Sequence, residues 1–277
     1  VCGICGIVDF GGRSIKAEDI KSMTSVLQHR GPDDEGVFLS GRIGMGHRRL
    51  SIIDVAHGHQ PMCNEDRTIW IVFNGMIYNY KSLTEQLTRS GHHFGTRCDT
   101  EVLVHAYEEW SVGMLTHLNG QFSFAIWDGN KLFLARDRMG EKPLYYALTH
   151  ETFYFASEIK SLLVRIRARA SIPSDFMVFE NTLTDDTLFE GIKELRPAHY
   201  LLVEDTKPSP RRYWSIPNEL DEDLTEREAV QHLRDLVYDA IMIRLQSEVP
   251  VGMYLSGGLD SSIIACIARP DCVFTSY

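Results

Sequence analysis

The chain has 277 residues, 44% of them hydrophobic, enough for one large domain or two ordinary ones with a sizeable core. A formal charge of -10, from 28 Lys and Arg against 38 Asp and Glu, argues against a nucleic-acid partner, because phosphate backbones are met by clustered cations. No apolar run is long enough to span a bilayer and no charged-then-apolar leader is read, so a cytoplasmic protein with no membrane partner and with reduced cysteines is expected.

The chain opens on Val1-Cys-Gly-Ile-Cys-Gly-Ile-Val-Asp-Phe10, a cysteine flanked by glycine at the head of an apolar strand. Cys2 is therefore a candidate exposed nucleophile. With residue 1 removed it would carry a free α-amine of pKa roughly 7.7 to 8.0 beside a thiol near about 8.5, and that amine could take the thiol proton. A buried structural cysteine is the alternative, as is a redox or zinc half-site in Cys2-x-x-Cys5. No second Cys-x-x-Cys occurs, and His57-Gly-His59 and His92-His93 do not have the spacing of helix-borne metal ligands, so no metal site is expected.

Ile20, Met23 and Leu27 fall at helical spacing and predict a helix over Ala17–His29, ended by the turn residues Arg30-Gly-Pro-Asp33. Val37–Leu39 and Arg42–His47 read as strands. They lead into His47-Arg48-Arg49-Leu50-Ser51-Ile52-Ile53-Asp54, two cations at the mouth of an apolar run. Such a pair is either a solvated surface or a fork that grips a carboxylate. Thr68–Phe73 is β-branched and aromatic, hence a buried strand, expected to stop at Asn74-Gly75. That dipeptide is a plain turn or, with the Asn74 amide and the Gly75 backbone N–H as donors, an oxyanion hole.

Tyr80–Ser90 and Thr100–Trp110 are helical in pattern, with Asp99 as a candidate cap of the second. Phe122–Asp128 and Lys131–Asp137 form a hairpin turning at Gly129-Asn130; Pro143–Ala147 and Thr152–Ala156 are further strands and Ser157–Val164 a helix. Strands, then helices, then strands again indicate an α+β layered sandwich. From Lys207 the composition shifts through Pro208-Ser-Pro210 to the acidic run Glu219–Glu228, read as linker and helix start. Glu226–Gln246 carries Val230, Leu233, Val237, Ala240 and Ile241 on one stripe, and Val251–Leu255 is a strand of parallel type. Ser256-Gly-Gly-Leu-Asp-Ser-Ser262 then opens the helix Ile263–Arg269. This loop is a turn or a phosphate cradle, and it lacks the Gly-Lys-Ser/Thr ending of a Walker A loop.

Seven segments in order, Cys2-Gly-Ile-Cys-Gly-Ile-Val8, His29–Asp33, His47–Asp54, Phe73-Asn-Gly-Met-Ile-Tyr-Asn79, Ala135-Arg-Asp-Arg-Met-Gly-Glu-Lys-Pro-Leu-Tyr-Tyr146, Ser157-Glu-Ile-Lys160 and Ser256–Ser262, resemble the glutamine-hydrolysing asparagine synthetases, whose N-terminal part is a class II glutamine amidotransferase. The resemblance implies an N-terminal-nucleophile αββα sandwich over 1–206, a linker over 207–225 and a truncated α/β PP-loop segment over 226–277. It implies that Cys2 attacks the carboxamide of L-glutamine, Asn74 and Gly75 hold the oxyanion, and ammonia is released. Arg49 would grip the substrate carboxylate, Leu50, Ser51, Ile52 and Ile53 would shape the pocket, and Asp99 would pair with the ammonium. In the family ATP and Mg²⁺ then activate L-aspartate in a second domain, to which Tyr254, Ser256, Gly257, Gly258, Leu259, Asp260, Ser261 and Ser262 are assignable here. A homodimer is left open.

Three departures from the family pattern follow. Val1 stands where the family has a methionine that is cleaved off; retained, it makes the Cys2 nitrogen an amide, and a lost general base costs about 10²- to 10⁴-fold in rate. Met76 stands where the family usually has a glutamate that helps Asp99. A lost charge-assisted hydrogen bond of roughly 1.5 to 3 kcal/mol would weaken glutamine binding by about 10- to 150-fold. Tyr277 falls one βα unit into the synthetase region, so complete asparagine synthesis by this chain is not expected, and 226–277 is expected to be partly ordered with apolar surface exposed. Two readings of other kinds remain: an amidotransferase acting on another carboxylate, and a non-catalytic remnant that binds glutamine or a partner subunit.

Overall fold

In the computed structural model, Gly3–Asp9 forms strand β1, and every residue of it is buried. Its position is the reason. β1 lies inside a sheet, paired on one edge with β3 (Ile43–Arg49) and on the other with β9 (Thr152–Ala156), so both edges are hydrogen-bonded and both faces are covered. The structure describes residues 1–204, 206, 208–218 and 223–275. Lys207, where the composition shift begins, residues 219–222 of the acidic run and the closing Tyr277 lie outside them.

The remaining elements of the first unit are α1 (Ala17–Ser25), β2 (Asp34–Ser40), β4 (Met62–Cys63), β5 (Trp70–Ile77), α2 (Tyr80–Arg89), α3 (Asp99–Trp110), β6 (Gly120–Trp127), β7 (Leu132–Arg136), β8 (Tyr145–Thr149), α4 (Ile159–Leu163), α5 (Phe176–Phe179), β10 (Ile192–Glu194), β11 (His199–Val203) and β12 (Ser209–Arg212). They make two six-stranded sheets, β10-β8-β9-β1-β3-β2 and β12-β11-β7-β6-β5-β4. The period-2 alternation of each strand sorts its side chains into layers. Ile4 and Val8 of β1 meet Val72 of β5 and Ala125 of β6 between the sheets. Cys5 and Ile7 point the other way, onto Ile20 and Met23 of α1. Phe73 and Ile77 face Leu83 of α2 and Val102 of α3 on the far side of the second sheet. Helix, sheet, sheet, helix is the expected αββα sandwich.

Several boundaries differ from the sequence reading. α1 ends at Ser25, and the chain to Arg30 continues in tighter turns, with Leu27 N donating to Thr24 O and Arg30 N to Leu27 O. Asn74 and Gly75 are not a turn: β5 runs through them to Ile77, pairing Asn74 with Ser123 and Gly75 with Phe122 of β6. Without a Cβ, Gly75 lets the two backbones approach; a Cβ there would stand 2.1 Å from Gln121 O and 2.7 Å from Phe122 Cα. The hairpin at Gly129-Asn130 forms as expected, with Asp128 Oδ1 accepting from Asn130 N and Lys131 N. Ser209–Arg212, inside the stretch read as linker, is an edge strand on β11. Pro210 within it and Pro208 before it gave the linker reading, but an edge strand tolerates a missing N–H.

Ile52–Val55 and Ile216–Tyr277 make up a second unit. It holds α6 (Glu226–Met242), β13 (Gly252–Tyr254), α7 (Leu259–Ala268) and β14 (Cys272–Phe274), with β13 and β14 parallel. Thr225 starts α6 with a capping box: its hydroxyl accepts from Glu228 N, and Glu228 Oε2 accepts from Thr225 N at 3.0 Å. Of the apolar stripe on α6, Ile241 is buried, Val237 and Ala240 are half-buried, and Val230 and Leu233 are exposed, so the expected uncovered apolar surface is present on its first half. α7 begins four residues earlier than expected, so Leu259 to Ser262 are its first turn and the loop is only Ser256–Gly258.

Candidate active site

Cys2 immediately precedes β1. The pairing Gly3↔Arg48 and Ile4↔His47 carries the chain back so that Cys2 lies beside the Arg49 end of β3. There Leu50 N donates to Cys2 Sγ at 3.4 Å, and Cys2 O accepts from Arg30 Nε at 2.8 Å. The Arg30-Gly-Pro-Asp33 turn fixes this corner. A Cβ on Gly31 would lie 2.4 Å from Arg48 C and 2.5 Å from Arg49 N, so only glycine lets the turn press on that backbone. Asp33 N donates to Arg49 O at 3.0 Å, Asp33 Oδ2 accepts from Ser51 N at 2.9 Å, and Glu158 Oε1 accepts from Arg30 Nη1 at 2.9 Å. Arg30, Asp33 and Glu158 entered the sequence reading only as members of a turn and of two family segments, not as site residues; charges flanking the Gly-Pro turn were the available signal for Arg30 and Asp33.

The Cys2 thiol is half-buried, not exposed as expected. Burial pushes its pKa up; the Leu50 backbone, the chain's terminal amine and the Arg49 guanidinium pull it back, and the Asp99 carboxylate adds to the rise. Cys5 is no partner for it. Its side chain lies in the outer layer against α1, where burial pushes its pKa to about 12, so the Cys-x-x-Cys half-site reading falls.

Asn74 lies in β5 on the same face as Val72, the face that meets the first sheet. Its amide is buried, and neither Nδ2 nor Oδ1 has a hydrogen-bond partner among the described residues; Ser123 Oγ, opposite it on β6, is in the same condition. An unsatisfied buried amide costs about 1 to 3 kcal/mol, a cost that folded chains accept chiefly at functional positions. His47 Nε2 donates to Phe73 O at 3.1 Å, tying β3 to β5 between the sheets. Burial pushes the His47 pKa down to about 3, so the ring is neutral.

Asp99 is not the cap of α3. Cys98 holds that position, and Asp99, in the first helical turn, reaches back so that Oδ2 accepts from Ile77 N at 3.0 Å. Burial raises its pKa to about 6, against the Ile77 N–H and the Cys98 thiol that favour the anion. Met76, next to Ile77, is buried. The first unit thus places Cys2 and Leu50 beside Arg49 at one end of the β1–β3 pair, Asn74, Gly75 and Met76 in β5 of the other sheet, and Asp99 at the end of β5. Ile52 and Ile53 belong instead to the second unit, where Ile52 O accepts from Glu248 N at 3.1 Å.

In the second unit Tyr254 closes β13 with its side chain exposed. Gly257 has φ +77°, which glycine adopts without strain, and Gly258 is the N-cap of α7. Ser256 Oγ lies 3.1 Å from Ser261 Oγ, while Ser261 and Ser262 hydroxyls donate to Gly258 O at 3.1 and 2.8 Å. A small-residue loop at the start of a ten-residue helix suits an anion.

Two facing six-stranded antiparallel sheets between helices are the fold of the N-terminal-nucleophile glutamine amidotransferases. Residues 1–214 match the glutamine amidotransferase domain family and residues 232–272 the asparagine synthase family. The chain belongs to the glutamine amidotransferase family. It is 41% identical over 278 residues to asparagine synthetase [glutamine-hydrolyzing] 3 of Bacillus subtilis, covering 97% of this chain and 45% of that protein. It is 31% identical over 275 residues to asparagine synthetase B [glutamine-hydrolyzing] of Escherichia coli, covering 97% of this chain and 45% of that one. The chain thus spans about half the length of these curated relatives. In structure it resembles the glutamine phosphoribosylpyrophosphate amidotransferase of B. subtilis complexed with ADP and GMP, with a TM-score of 0.56 and 20% identity over 99% of this chain and 65% of that one; this likeness shows the fold.

Proposed function

We propose that the first unit hydrolyses L-glutamine to glutamate and ammonia with Cys2 as nucleophile. The observation that carries this reading is the Asn74 amide, buried without a partner on the sheet facing the cysteine. In the active form Cys2 is the first residue and its α-amine takes the thiol proton. The thiolate adds to the carboxamide carbon, and the oxygen that becomes anionic accepts from Asn74 Nδ2 and the Gly75 backbone N–H. The intermediate expels ammonia, protonated by the same amine, and leaves a γ-glutamyl thioester that water cleaves. Arg49 holds the substrate carboxylate through a bidentate pair and Asp99 holds the ammonium. Leu50 and Ser51, set by Asp33, form the wall between them.

The second unit fits the start of an ATP-using synthetase domain that amidates L-aspartate. Ser256, Gly257, Gly258 and the first turn of α7, Leu259 to Ser262, would hold the phosphates, with Tyr254 beside them; ATP with Mg²⁺ bound there would activate the acceptor carboxylate by adenylyl transfer, with pyrophosphate as the leaving group. The domain organisation we infer extends the glutaminase past the expected 206 to about residue 215, because β12 pairs with β11 inside the first unit, and keeps the synthetase from 226.

An electrophilic glutamine analogue tests the glutaminase reading. Peptide mass spectrometry should find it on Cys2, with L-glutamine protecting. Labelling of the other five cysteines in preference to Cys2 would reject the assignment.

A further inference from the structure

The fold assembles a second constellation, away from Cys2, that no part of the glutaminase reading uses. His92 follows α2, and His105 and Glu108 lie one turn apart on α3; one ligand atom from each falls within 4.8 Å of the others. The atoms converge in a specific way. His105 Nδ1 is 2.7 Å and His92 Nδ1 3.5 Å from the same oxygen, Glu108 Oε2. Tetrahedral zinc with bonds of about 2.1 Å spaces its ligand atoms roughly 3.4 Å apart, so small side-chain shifts would close the three donors on one ion.

The surroundings are those of a built metal site. A metal-bound histidine usually gives its other ring N–H to a carboxylate, which fixes the tautomer and strengthens the donor. His92 has that partner, with Nε2 3.2 Å from Glu109 Oε2, while His105 Nε2 has the Glu101 carboxylate nearby, Oε1 at 3.9 Å, beyond hydrogen-bond distance. Glu108 is oriented too, since its other oxygen accepts from Asn64 Nδ2 at 2.8 Å. His105 is buried and lies edge-on to Phe94 at 4.7 Å between centroids, while His92 is only half-buried, which leaves an approach from solvent.

We infer that His92 Nδ1, His105 Nδ1 and Glu108 Oε2 form a site for a divalent transition-metal ion of zinc type, with a fourth position for water. Two imidazoles and one carboxylate suit zinc over magnesium or calcium, which prefer all-oxygen shells. The ion would tie the segment after α2 to α3. Glu101 extends the brace, because it also accepts from Gly95 N and Thr96 N at 2.7 Å, just before Cys98 and Asp99.

Titration calorimetry of the whole chain with Zn²⁺, paired with zinc-edge X-ray absorption, tests this. The expected result is one equivalent bound through nitrogen and oxygen, affinity unchanged in Cys2→Ala and lost in His92→Ala, whose half-buried position spares the fold. Glu109→Gln, which removes only the backing carboxylate, should weaken binding by about 10- to 100-fold. Binding should also fall with pH as the imidazoles take up protons. A sulfur-rich shell, equal affinity in His92→Ala, or no zinc bound by the unaltered chain would overturn the inference. None of these outcomes depends on glutamine turnover.

Discussion

The carboxylate of Asp99 accepts a hydrogen bond from the backbone N–H of Ile77 at 3.0 Å, joining the first turn of α3 to the end of β5. The contact brings an acid from a helix to a strand that also carries Asn74, Gly75 and Met76. It holds that acid where water is scarce, and the raised pKa of about 6 follows from the burial.

Asp99 should therefore trade stability for binding. Its folded pKa lies above the unfolded value of 3.8, so stability is full below that value and is lost as pH rises through about 6. Asp99→Asn should stabilise the protein at pH 7 by up to about 3 kcal/mol, the equivalent of the shift. The same variant should raise the glutamine KM at least tenfold, and kcat/KM of the unaltered chain should fall below pH about 6. Denaturant melts and initial rates across pH check both halves. A variant that melts lower and binds glutamine normally would remove Asp99 from the site.

His47 works with the opposite sign. Its folded pKa, pushed down to about 3, lies below the unfolded 6.5, so the unfolded chain binds the extra proton and stability falls as pH drops from 6.5 toward 3. His47→Gln keeps a donor for Phe73 O and does not titrate, so the loss of stability between pH 6.5 and 4 should shrink relative to the parent. The comparison is cleanest in an Asp99→Asn background, because Asp99 gains stability over part of the same window.

Asn74→Ala should separate function from folding. Removing one oxyanion donor costs about 10²- to 10³-fold in kcat. The deleted amide has no partner among the described residues, so the melting temperature should hold or rise. A large drop in melting temperature with activity retained would make Asn74 a structural residue.

Met76→Glu should lower the glutamine KM. A carboxylate beside Ile77 would join Asp99 around the substrate ammonium, and a charge-assisted bond is worth about 1.5 to 3 kcal/mol. An unchanged or higher KM would show that position 76 does not face the ammonium.

The sequence made the layers legible because strands such as Gly3–Asp9 and Thr152–Ala156 alternate or are apolar throughout, and the Gly129-Asn130 hairpin carried its own turn chemistry. It misled at Asn74-Gly75, where local propensity says turn. The tertiary pairing with Ser123 and Phe122 overrides that preference and needs glycine for close approach. It misled at Asp99 for a related reason: a cap and a buried acid in the first turn differ by one residue, and only the position of Ile77 decides between them. Short edge strands such as Ser209–Arg212 and Ile192–Glu194 carry too few residues for a period to show. Of the His92, His105 and Glu108 cluster, only the i,i+3 pair on α3 was legible from spacing; His92 is brought to it by the packing of the segment after α2.

The most direct measurement is ammonia release from L-glutamine by protein whose intact mass shows Cys2 as the first residue, set beside Cys2→Ala. We predict steady release from the first and none above background from the second. Equal rates in the two, or no release from chains that begin at Cys2, would contradict a thiol nucleophile at the head of β1.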